Sequence, residues 1–152
     1  MTRGNARELA VHLIYAREFT GEEPEKLVAA RLEKEYYALL AEENQVYTDR
    51  PSKGQVAYLD HVVSGVANRS EELNEMIKKH AIGWDISRIS KLTRTVLQLA
   101  IFEILYVEDV PTGVAISEAV RIAKMYDGDD TGAFVNGILG SFARSLVQEV
   151  VE

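Results

Sequence analysis

The chain predicts an all-α fold in a single domain, and three observations carry that reading. Apolar residues recur at helical spacing along nearly the whole sequence, and no stretch alternates with a period of two. There are only three prolines, Pro24, Pro51 and Pro111, and each falls where a helix would begin or a loop would run. The stretches between apolar-periodic segments are mostly of the length that joins helices in bundles.

About seven helices follow in order. The first spans Gly4 to Phe19, and Ala6, Leu9, Ala10 and Leu13 fall within one arc as its core face. The second starts at Pro24, a favourable first-turn proline, and runs to Glu43. Asn44–Gly54 is then the longest loop, marked by Asp49-Arg50-Pro51-Ser52. The third helix covers Gln55–Asn68 with Val56, Leu59, Val62 and Val66 inward, and the fourth runs from Ser70 to Ile82, where Gly83 stops it. The fifth, Ser87 to Val107, is the most apolar, with Ile89, Leu92, Val96, Leu99 and Ala100 on one side. Thr112 caps the sixth, which ends near Tyr126, and Asp130 or Thr131 caps the seventh, which continues to the C-terminus.

At 152 residues the chain fits one domain, 1–152. A folded chain of this size buries roughly 68–70% of the surface its unfolded form exposes, so no staple is required. Cysteine is absent, which removes disulfides, Cys–Zn sites and thiol nucleophiles together. No apolar run approaches the ~18 residues of a membrane span, and the N-terminus lacks a signal-like apolar region. The expectation is a soluble, cytoplasmic protein. A net charge of −7 argues against bulk attraction to nucleic acid, so any such surface must be a local patch. Arg3, Arg7 and Arg17 lie in the first helix, whereas much of the acidic excess lies in Glu18–Glu43.

The chemistry-bearing residues do not form an enzyme-like set. His12, His61 and His80 are scattered without metal-ligand spacing, and there is no nucleophile elbow or phosphate loop. Glu103 and Glu118 sit inside apolar patterns, where carboxylates usually pair with cations such as Arg94, Arg121 or Lys124. The acidic run from Asp127 to Gly132 lacks the ligand alternation and closing glutamate of a calcium loop, and reads as a turn that starts a helix. No catalytic residue, metal or cofactor is expected.

Two features of the first helix point to binding instead. Arg3 and Arg7, four apart, stack on one flank, either as solvated surface or as a small anion-contacting patch. Val11, Tyr15 and Phe19 form a second stripe roughly opposite the core face, to be covered either by the acidic second helix or by a partner. At the other end of the chain, the start of the last helix offers unpaired N–H groups. Phe134 there is either core or a stacking face for an unpaired base.

Together these segments resemble the NusB family of transcription antitermination factors. The resemblance rests on Asn5-Ala6-Arg7-Glu8-Leu9-Ala10-Val11 with Tyr15, and on Tyr58-Leu59-Asp60 with Gly65-Val66, Ile82 and Trp84. Its most specific block is Val96-Leu97-Gln98-Leu99-Ala100-Ile101-Phe102-Glu103, Asp109-Val110-Pro111, Val114 to Val120, Ala123-Lys124 and Phe134-Val135-Asn136-Gly137-Ile138-Leu139. It implies two packed helical subdomains and no chemistry. The implied partners are single-stranded boxA-type RNA of ribosomal leader transcripts, a small-subunit ribosomal protein acting as NusE, and the RNA polymerase elongation complex. By position, Arg3, Arg7, Asp130 and Phe134 match RNA-contacting residues, while Tyr15 and Phe19, with Val11 on the same stripe, match positions facing the ribosomal protein.

The chain departs from the family in having two arginines before Ala10 where members often carry a longer basic run. Ala133 stands where a lysine often precedes the Phe, and Ser117 where Asn is usual. The first two departures imply weaker RNA binding. An RNA-binding domain at the front of some ribosomal-RNA cytosine methyltransferases shares the fold. The end of the sequence at Glu152 favours the free-standing factor. The reading from another class is a helical module that binds only protein or itself, as a homodimer through the same stripe. Loss of RNA binding on changing Arg7 discriminates the two.

Overall fold

The computed structural model describes residues 1–151, and they are all-α as expected. Eight α-helices and two 3-10 turns are present among them, grouped into two compact units that divide after Asn68.

The N-terminal unit holds α1 (Arg3–Thr20), α2 (Pro24–Arg31), α3 (Lys34–Leu40) and α4 (Lys53–Asn68). Thr2 starts α1 by accepting the Asn5 N–H at 3.0 Å, and Gly21, at φ 67°, ends it in the left-handed conformation that glycine adopts at least cost. The expected second helix, Pro24–Glu43, is two helices. Glu33 leaves helical geometry (φ −55°, ψ 132°), and its carboxylate accepts from the N–H groups of Glu35 and Tyr36 at 3.1 and 2.9 Å, which caps α3. A glutamate expected in mid-helix is thus a helix start.

The long loop after α3 is also more ordered than its composition suggests. A 3-10 turn, Gln45–Tyr47, buries Val46 and Tyr47. α4 then begins two residues early, because Ser52 and Gln55 form a reciprocal capping box: Gln55 N–H donates to the Ser52 hydroxyl at 3.2 Å, and Ser52 N–H to the Gln55 side chain at 2.9 Å. Leu9 and Leu13 of α1, Leu27 and Val28 of α2, and Leu59, Val62, Val63 and Val66 of α4 make the core of this unit.

The C-terminal unit holds α5 (Ser70–His80), α6 (Lys91–Tyr106), α7 (Thr112–Asp127) and α8 (Asp129–Val151). α6 packs on α5, α7 and α8, and every residue from Thr95 to Glu103 is buried. The one-sided face expected of it is therefore a helix buried nearly all round, with Thr95, Gln98 and Glu103 among its buried residues. Gln98 is accommodated there by donating to Asn74 Oδ1 at 2.8 Å. Ala115, Ala119 and Ala123 form a small-residue stripe on α7, which packs on α6 and α8.

Several helix ends differ from expectation. α5 stops at His80 rather than Ile82, and α6 starts at Lys91 rather than Ser87. Ile86–Arg88 form a separate 3-10 turn started by Asp85, whose carboxylate accepts from Ser87 N–H at 3.0 Å. Ser90 caps α6 by accepting from Thr93 N–H at 3.0 Å, and the Asp127 carboxylate accepts from both the Ser90 and Thr93 hydroxyls. This ties the start of α6 to the end of α7. Thr112 is the first residue of α7 and not its cap. No described helix is long and apolar enough to cross a membrane.

Candidate functional site

α1 carries the sequence-predicted residues of the N-terminal unit. Its first three turns are buried far beyond one face: Ala6, Arg7, Glu8, Leu9, Ala10, Val11, Leu13 and Ile14 are all in the interior. The cause is that α1 packs on α2, on α4 and on the 3-10 turn at Tyr47. Val11 is fully buried, at 0% exposure, and so cannot belong to a partner-facing stripe in this structure. It is core. Tyr15 is half-buried and Phe19 is 59% exposed. Their rings meet edge to face, centroids 5.0 Å apart at 68°, so the stripe shortens to one braced aromatic pair at the end of the helix. Arg3 is exposed, whereas Arg7, one turn on, is 7% exposed. The two arginines share a flank but not an environment.

Beneath α1 lies a polar cluster that spacing could not reveal. The Tyr47 hydroxyl is 2.9 Å from His12 Nδ1 and 2.9 Å from Arg31 Nη1. Glu8 lies 3.9 Å from His12 Nε2. Burial pushes His12 below its ordinary value; Glu8 opposes this and Arg31 adds to it. Burial likewise raises Tyr47. Tyr37, which donates to the Asp49 carbonyl at 2.6 Å, is pushed up to about 12, chiefly by burial. These hydroxyls stay protonated at neutral pH and act as structural donors.

In the C-terminal unit the chain enters α8 through Gly128 at φ 92°, ψ 169°, a region open in practice to glycine alone. Asp129 and Asp130 then sit in the first helical turn, exposed, where carboxylates offset the positive helix end. Neither Asp130 nor Thr131 is the expected cap: the helix has begun before them, and the Thr131 hydroxyl donates to the Asp127 carbonyl at 3.0 Å. The Lys124 side chain lies across Gly132, close enough that a β-carbon there would meet Lys124 Cγ and Cε at 2.6 Å.

Phe134, one turn after Asp130, is 8% exposed and so presents little of its ring to solvent. What it does contact is Trp84, with centroids 4.8 Å apart and rings at 76°. Trp84 is 52% exposed, and sequence reasoning does not select it as a site residue. The available signal was a tryptophan directly after a turn glycine, outside any helical apolar face.

Of the carboxylates considered for acid–base work, Glu118 is paired with Arg121 at 2.5 Å and Glu103 is fully buried in α6. Among the described residues, no group of three or more His, Asp or Glu is placed to hold a metal ion. The geometry is that of a scaffold with exposed aromatic and charged contact points.

The family model described as NusB family matches residues 4–144. The chain belongs to the NusB family of transcription antitermination proteins. The transcription antitermination protein NusB of Acetivibrio thermocellus is 38% identical over 95% of this chain and 90% of that protein. The NusB structure of T. maritima superposes with a TM-score of 0.75 at 27% identity, covering 95% of this chain and 92% of the other. A crystal structure of the antitermination factors NusB and NusE in complex with dsRNA contains a chain of the same fold. Its TM-score is 0.71 at 24% identity, covering 94% and 96% of the two chains. Within this NusB-family chain, Arg3, Arg7, Tyr15 and Phe19 lie in the N-terminal unit, and Trp84, Asp130 and Phe134 in the C-terminal unit.

Proposed function

We propose that this NusB-family protein binds single-stranded boxA-type RNA together with the small-subunit ribosomal protein acting as NusE. It joins the elongating RNA polymerase in the cytoplasm and performs no reaction itself. The observation that carries the reading is the family match along residues 4–144. A solved protein of the same fold is held with NusE and dsRNA, so the fold is compatible with a protein and an RNA partner. On the RNA side, exposed Arg3 is the cation available at the start of α1, and Asp130 marks the exposed first turn of α8. On the protein side, the Tyr15–Phe19 pair leaves an aromatic ring exposed at the end of α1.

With net charge −7, the protein alone should bind RNA weakly, and a basic partner should tighten binding by adding phosphate contacts. Gel-shift titration of a boxA-type single-stranded RNA, with and without the ribosomal protein, tests this. The expected result is a weak, salt-sensitive complex that tightens when the protein is added. No shift under either condition rejects the reading.

A further inference from the structure

We propose that Trp84, braced by Phe134, is a stacking platform for an unpaired RNA base; this rests on the RNA-binding reading above. Trp84 follows Gly83, whose φ of 85° turns the chain out of α5, and it is flanked by Ile82 at 84% exposure. Half of a large apolar ring is therefore held at the surface, where that half gains nothing from folding. The ring is nonetheless held by its partner. Phe134 meets it edge to face at 4.8 Å, and Phe134 is itself set by α8. In such a pair at least one indole face stays clear of the partner ring, whichever of the two presents its edge.

The charge around the pair is mixed, with the Lys124 side chain across Gly132 beside exposed carboxylates. It is the aromatic face that selects a base over a phosphate, because a base can stack on it. Asp85, Asp129 and Asp130 are exposed on the two segments that carry the pair, and Asp130 lies one turn before Phe134 on the same face of α8. Carboxylates repel the phosphate backbone but accept hydrogen bonds from the amino and imino groups of a base edge. A π face with acceptors nearby suits a splayed-out base, which is how single-stranded RNA is held. The expected role of Phe134 thus passes to the tryptophan that covers it, and Phe134 becomes a positioning residue.

The chain has a single tryptophan, so indole emission reports Trp84 alone. The full chain is titrated at low salt with a boxA-type single-stranded RNA, read in parallel by indole fluorescence and gel shift. Indole quenching should saturate together with the gel-shift complex. Trp84→Leu, which keeps an apolar cover on Phe134, should weaken RNA binding about 5- to 100-fold with an unchanged salt slope, and Trp84→Phe should fall between it and wild type. RNA binding with unchanged emission and a wild-type-like Trp84→Leu overturns the platform and leaves the RNA-binding reading standing. A Trp84→Leu variant that keeps RNA affinity but loses the ribosomal protein also overturns it, and makes the surface a protein dock. Failure of the wild type to bind RNA at all removes both. If a melt shows Trp84→Leu unfolded, quenching in the wild type decides alone.

Discussion

The Tyr47 hydroxyl is hydrogen-bonded to His12 Nδ1 across 2.9 Å while accepting from Arg31 at 2.9 Å. A guanidinium only donates, so the phenolic oxygen accepts from Arg31, and the tautomer of His12 sets which partner donates in the second bond. Glu8 lies on the other side of the ring, 3.9 Å from His12 Nε2. Three segments far apart in sequence, α1, α2 and the 3-10 turn, meet at this hydroxyl.

A pH dependence of stability follows. The folded-state value of His12 is lowered from 6.5, first by burial, so the unfolded chain binds the proton more readily. The contribution is fully present above pH 6.5 and is lost as pH falls through the lower folded value. His80 is lowered in the same sense by burial and by Lys79, and adds to the slope. Melting temperature measured downward from pH 7.5 is expected to fall, with a tenfold difference in proton affinity between the folded and unfolded chain worth about 1.4 kcal/mol. His12→Asn, which keeps a hydrogen-bonding group near the Tyr47 hydroxyl, should flatten the curve relative to wild type; an unchanged slope would place the effect elsewhere.

The entry to α8 makes a second prediction. Gly128→Ala meets no neighbouring atom but forces a β-carbon onto φ 92°, ψ 169°, which is expected to cost about 1–3 kcal/mol. Gly132→Ala has ordinary helical geometry but collides with Lys124 Cγ and Cε, so this exposed side chain must change rotamer from Cγ outward. Denaturant titrations should rank Gly128→Ala as clearly the more damaging. Equal losses would show that the Lys124 contact matters as much as the backbone.

What is legible in the sequence is what periodicity encodes. The spacing of Leu59, Val62 and Val66, or of Val96, Leu99 and Ala100, is enough to place a helix and its inward side. It does not tell how many sides are inward. That depends on how many neighbours arrive, so Val11 on α1 reads as a partner-facing residue although it is core. Boundaries set by one side chain are equally opaque: Glu33, Ser52 and Ser90 look like surface residues until their oxygens are seen accepting from backbone N–H groups. Phe134 read by itself leaves core and stacking both open, and only its contact with Trp84 reveals which ring of the pair faces water.

The two arginines of α1 should separate in experiment. Arg3 is exposed, so Arg3→Ala should leave the melt unchanged, weaken RNA binding and flatten the log–log salt slope by about 0.7, the value for one phosphate on a single strand. Arg7 is buried, so Arg7→Ala should lower stability as well, by about 1–3 kcal/mol for the polar groups left without it. Binding titrations at several salt concentrations beside thermal melts check both. A wild-type melt for Arg7→Ala would return it to the solvated surface.

The exposed end of α1 gives the last prediction. Phe19 is 59% exposed and is held edge to face by the half-buried Tyr15, so a flat aromatic surface is presented in a set orientation. Pre-set aromatic rings of this kind are common anchors in protein interfaces, where truncation often costs about 2 kcal/mol or more. Because most of Phe19 is in water already, Phe19→Ala should barely change the melting temperature, whereas Tyr15→Ala should lower it modestly. If the pair docks the ribosomal protein, Phe19→Ala alone should weaken pull-down while RNA binding by the isolated chain stays near wild type. Sedimentation of the chain alone then separates a foreign partner from a second copy. Concentration-dependent dimerisation lost in Phe19→Ala, with pull-down retained, would assign the surface to self-association.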